Sequence, residues 1–188
     1  MTKCTRSVAT ILFAAMAATT LVRPIPAIAA GPAGVDEDVN AALKKLYASE
    51  PVAKMIGERA KAVLVFPNIV KAGFIIGGQY GEGALLKEGQ TVGHYNSVAA
   101  SYGLQAGAQS FGYALLFMDE ASLGYLDSSD GWELGVGPSI VIVDEGMGKT
   151  LSTTTAHSGV YAFIFGQKGL MAGAGVQGSK ITRITPDR

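Results

Sequence analysis

The sequence predicts an α+β fold in which N-terminal amphipathic helices precede a strongly curved, mainly antiparallel, glycine-rich β-sheet with a barrel-like form. Three observations carry this expectation. Apolar residues recur at helical spacing over residues 36–61, and from Ala62 onward the pattern changes to short segments rich in Gly, Val, Ile, Tyr and Phe. The third is the 25 glycines in 188 residues. Most fall inside segments too apolar to stay unfolded, so they fit bends and close backbone approaches better than disorder.

The chain opens with a separate kind of segment. Lys3 and Arg6 precede the apolar run Val8 to Val22, and Ala27-Ile28-Ala29 supplies small residues at cleavage spacing. This is the pattern of a secretory signal peptide over residues 1–29. The run is broken by Thr19 and Thr20 and followed by Arg23 and two prolines, so it is short for a span of about 20 apolar residues. Retention as an anchor is the alternative. The only cysteine, Cys4, lies within this segment and before the apolar run, so the mature chain forms no internal disulfide and lipid attachment at Cys4 is not expected.

Residues 30–188 suit a single domain, with no linker or low-complexity tract dividing them. Without Lys3, Arg6 and Arg23 the formal charge is −3, which gives no reason to expect nucleic acid. The distribution is uneven. Lys44, Lys45, Lys54, Arg59, Lys61 and Lys71 stand against Glu50 and Glu58 alone, so the stretch 44–71 is +4, while residues 72–188 are −4.

Val39, Ala42, Leu43, Leu46 and Tyr47 form the stripe of a first helix, with Asp36, Glu37 and Asp38 at its positive end. Ser49 is expected to cap a second, with Pro51 in its first turn and Val52, Met55, Ile56, Ala60 and Val63 facing inward. Pro67-Asn68 then interrupts the pattern. Strands are expected at Ala62–Phe66, Ala72–Gln79, Gly83–Leu86, Ser97–Gln105, Ser110–Met118, Trp132–Val143, Val160–Phe165, Leu170–Gln177 and Lys180–Ile184. Turns are expected at Lys87-Glu88-Gly89-Gln90, Asp130-Gly131, Asp144-Glu145-Gly146 and Gln167-Lys168-Gly169.

The run Ala60-Lys61-Ala62-Val63-Leu64-Val65-Phe66-Pro67, followed by Val70-Lys71-Ala72-Gly73-Phe74 and Gly77-Gly78-Gln79-Tyr80-Gly81-Glu82-Gly83, resembles the opening motif of the SYLF (Ysc84-like, DUF500) family. Tyr102-Gly103-Leu104-Gln105-Ala106-Gly107-Ala108-Gln109 resembles its central glycine-rich strand, and Leu115-Leu116-Phe117-Met118 the apolar strand after it. Ile164-Phe165-Gly166-Gln167-Lys168-Gly169-Leu170-Met171-Ala172-Gly173, ending in Gly178-Ser179-Lys180-Ile181, resembles the closing segment. The likeness spans residues 40–184. It implies an exported bacterial member that binds anionic phospholipids, phosphoinositide-like or other, at the periplasm or cell envelope, peripheral to a membrane and without catalysis. The actin role of eukaryotic members does not carry over to an exported chain.

Lipid binding needs positive charge beside apolar surface. Lys44 and Lys45 flank the stripe of the first helix, Lys54 and Lys61 share a face with Glu58, and Lys71 follows the Pro67-Asn68 turn. Arg59 falls by helical angle near Val52 and Ile56, so it must snorkel, find a carboxylate or meet a phosphate. These six are the candidate lipid contacts. A solvated helix face with ordinary ion pairs, and for Lys71 a strand-end surface lysine, is the alternative.

Motifs that suggest catalysis fail on spacing. Gly173-Ala174-Gly175-Val176-Gln177-Gly178 fits G-x-G-x-x-G, yet only ten residues follow it, too few for the helix and acid of a dinucleotide site. Gly148-Lys149-Thr150 lacks the P-loop glycine, since Val143 stands there. The Asp127–Gly131 segment has Gly137 where a calcium loop needs glutamate, and His94 and His157 lack partners at metal-ligand spacing. No metal, cofactor or enzyme activity is expected. The alternative function is a small outer-membrane β-barrel, for which the aromatic content of 8% is thin.

Overall fold

The computed structural model describes residues 32–128, 132–133, 140–143 and 159–185. The segment 1–29, His157, and the expected turns at 130–131 and 144–146 lie outside them. Two helices, α1 (Pro32–Ser49) and α2 (Pro51–Gly57), lead into β1 (Ala62–Lys87) and β2 (Gln90–Phe117). A third helix, α3 (Glu120–Ser128), then precedes two short strands, β3 (Trp132–Glu133) and β4 (Ile140–Ile142), and the long β5 (Val160–Ile184). The sheet is mostly antiparallel in the order β1-β2-β5-β3, with β4 added to β5 in parallel. Among the described residues it is not closed into a barrel.

The separately expected strands merge. Pro67-Asn68 does not end a strand, because a register shift between Phe66 and Ile69 absorbs the missing N–H donor. Gln167-Lys168-Gly169 likewise lies inside β5, where Gly166 and Gly169 at φ of 61° and 85° bend the strand without ending it. The turn at Glu88-Gly89 is as expected. Of the expected strand 132–143, Trp132–Glu133 and Ile140–Ile142 are paired, against opposite ends of β5.

A straight β1 would hold Val65 and Gly83 roughly 60 Å apart. Instead they touch: a Cβ added to Gly83 would overlap the Val65 carbonyl and the Phe66 ring, and one added to Gly81 would overlap Ile69. The strand therefore doubles back. The reversal lies between Gly73 and Gly77, where Ile75 has φ of 64° and the register with β2 shifts between Phe74 and Ile76. β2 and β5 follow β1 in register, so one sheet supplies both layers of a sandwich. The inner face holds Leu64, Phe66 and Ile69 from the first layer against Leu85, Tyr95 and Ile181 from the second, with Leu115, Phe117 and Leu123 of α3. α1 and α2 cover part of the outer face, burying Val39, Leu46, Ala53 and Ile56 against Val63, Val65, Leu116 and Phe163.

The helices differ from expectation at their ends. α2 has Glu50 rather than Ser49 at its N-cap, and the Ser49 hydroxyl bonds back to the Leu46 carbonyl at 3.2 Å. It also stops at Gly57. α3 was not anticipated, although Asp119 marks its start: Oδ1 accepts from Ser122 N at 2.7 Å, and Oδ2 from Gly159 N at 2.7 Å.

Candidate functional site

Strand β2 sets the geometry of both faces. Its odd-numbered residues point inward from Tyr95 to Phe117, and its even-numbered ones outward. Near the bend the inner face is polar. Ser97, Ser101 and Gln105 are buried there, and Gln105 Nε2 donates to Ser101 Oγ at 2.6 Å. Lys71, paired with Gln109, belongs to this inner layer, and its Nζ donates to Gln177 Oε1 at 2.6 Å.

The six candidate cations do not form one cluster. Lys44 and Lys54 share a shallow cleft with Asn40, Leu43 and Tyr47, between α1 and α2. Lys54 also approaches Glu58 at 4.0 Å, a surface pair worth little in water. Tyr47 ionises less readily than an ordinary tyrosine because burial, and then the charge of Glu58, disfavours the phenolate.

Lys45 projects elsewhere, into a cleft of about 370 Å³ between α1 and the sheet. Lys168 of β5 lines the same cleft, with Asn68, Ser110 and the ring of Phe165, and Asp38 is the carboxylate present. Lys168 was absent from the sequence candidates. No local signal marks it, since its neighbourhood with Lys45 is created by the pairing of Ser110 with Lys168 and the seating of α1 on that face.

Arg59 does not lie on the apolar stripe of α2. It lies beyond the end of α2, exposed, with its N–H on the Ile56 carbonyl, so the helical angle that placed it on the apolar stripe does not apply. Lys61 is exposed just before β1. Lys71 faces the layer opposite to Lys45 and Lys168, bonded to glutamine.

His94 sits against α1, with Nε2 3.0 Å from Asp36 Oδ1. Among the described residues no group of three or more His, Cys, Asp or Glu could hold a metal ion. Among them, too, no helix is long and apolar enough to cross a membrane, which leaves strand-spanning unaddressed. Compared with known proteins, the chain matches no family model and no curated sequence.

Proposed function

We propose that this chain is an exported, non-catalytic phospholipid-binding protein of the SYLF type, acting peripherally at the cell envelope on anionic head groups. The curved, barrel-like sheet serves as scaffold, and the basic helices with the adjoining sheet serve as the binding surface. The observation that carries this reading is the convergence of Lys45 and Lys168 on one cleft beside the amide of Asn68 and the hydroxyl of Ser110. Two ammonium groups with neutral donors suit a phosphodiester, while Asp38 disfavours a second negative charge deep in the cleft. Lys44 and Lys54 offer a second, shallower contact on α1 and α2. The outer-membrane barrel has less support, because a spanning sheet must close on itself and the described sheet has free ends.

The test is cosedimentation of the protein with vesicles containing phosphatidylglycerol, compared with phosphatidylcholine alone, over a salt series. Binding should be stronger to the anionic vesicles and fall with salt. Combined charge reversal at Lys44, Lys45, Lys54 and Lys61 should weaken it, and Lys168→Glu should do so alone. Equal binding to both vesicle types would overturn the reading.

A further inference from the structure

Near the bend the sheet is patterned inside out. The inward positions of β2 between Ser97 and Gln109 are Ser, Ala, Ser, Gly, Gln, Gly and Gln, whereas the outward positions are Val98, Ala100, Tyr102, Leu104, Ala106 and Ala108. The neighbouring strands agree. Phe74 and Ile76 of β1 and Leu170 of β5 are 74%, 71% and 88% exposed, beside Tyr102 at 69% and Leu104 at 83%. A water-facing sheet normally shows the reverse, with its polar set outward. Isolated exposed apolar residues need no explanation, but a contiguous patch over three paired strands does.

We propose that this outer face docks on the surface of an anionic phospholipid bilayer, with Phe74, Ile76, Tyr102, Leu104 and Leu170 reaching below the head groups. The choice of occupant rests on charge. No carboxylate occurs in residues 67–81, 97–118 or 160–184, which make up the three strands across the patch. At its helix-side border stand Lys45 and Lys168, with Asp38 as the carboxylate beside them. An anionic surface meets cations there and apolar side chains beyond, in the arrangement that favours interfacial binding. At the opposite border Glu133 stands across from Lys180 and Tyr80 bonds Glu82, so that side is closer to neutral. Open strand edges keep the backbone at head-group depth, because unpaired N–H and C=O groups do not enter hydrocarbon.

This inference rests on the phospholipid reading above and goes further in naming the face that enters the bilayer. The test uses the full chain with Cys4→Ser, carrying one environment-sensitive fluorophore on Leu104→Cys, Leu170→Cys or, in the β1–β2 turn, Gln90→Cys. With phosphatidylglycerol-containing vesicles, the first two should show blue-shifted, several-fold brighter emission, quenched by nitroxides on the acyl chains. Gln90 should stay aqueous. Phe74→Asp with Leu104→Asp, both at exposed positions, should weaken vesicle binding by roughly tenfold or more. Vesicle-bound protein whose label at Leu104 stays aqueous would overturn the insertion while leaving head-group binding intact. Absence of vesicle binding would overturn both. A blue shift without vesicles, together with concentration-dependent dimers in sedimentation, would assign the face to a second copy of the chain and overturn the proposal.

Discussion

Nε2 of His94 lies 3.0 Å from Oδ1 of Asp36, and the Thr91 hydroxyl donates to the same oxygen at 2.9 Å. These bonds fasten the first turns of α1 to the β1–β2 hairpin. They matter because the position of α1 on the sheet decides whether Lys45 meets Lys168. Asp36→Ala is expected to lower stability by about 1 kcal/mol in urea unfolding. The same substitution should weaken binding to anionic vesicles although Asp36 itself is acidic. Tighter binding, as simple removal of a negative charge would give, would show that the fastening is irrelevant to the site.

Asp119 links α3 to the start of β5, and the backbone N–H groups of Gly159 and Ser122 hold its carboxyl below the usual carboxylate range. Because the folded state favours the charged form, the stabilisation is complete above the unfolded value near 4 and is lost as pH falls through the lowered folded value. Asp119→Asn should cost about 0.5 kcal/mol or less at neutral pH, because water screens a carboxyl this open to solvent. The gap between the two proteins should close below pH 4. A gap that stays constant into acid would remove the charge from the explanation.

Burial raises the phenol of Tyr113 to about 12. The unfolded chain ionises near 10, so stability should fall as pH rises from there through the folded value. Absorbance titration of wild type and Tyr113→Phe should differ by one late-ionising phenol, and the Phe variant should lose less stability over that interval. Identical alkaline titration curves would contradict the burial.

Glycines at two sites on β1 should respond differently. Gly83→Ala pushes a methyl into the Val65 carbonyl, where one strand packs against itself, and should cost roughly 2–4 kcal/mol. Gly78→Ala meets nothing within 4 Å and should leave thermal unfolding nearly unchanged. Equal effects would mean that the reversal of β1 is looser than its contacts indicate.

The helices and the inner stripes were legible because their spacing is local: Val39 and Leu46 are buried as their periodicity predicts. Strand continuity was not. Proline and glycine mark both turns and bulges, and only pairing with β2 distinguishes them at Pro67 or Gly169. The alternation of Val98, Ala100, Tyr102 and Leu104 with Ser97, Ser101 and Gln105 was open to view, but period two does not say which set faces out. Of the candidate cations, Lys44 and Lys54 come together through short-range helix geometry. The partnership of Lys45 with Lys168 depends on long-range pairing, and the placement of Arg59 failed because α2 ends two residues before it.

β5 is the last of the described strands, yet it lies inside the sheet, bonded to β2 on one side and to β3 and β4 on the other. Until β5 has been synthesised, β2 offers a bare edge along nearly its whole length, a template for pairing with other chains. A chain cut short within β5 is therefore expected to aggregate rather than merely to bind less well.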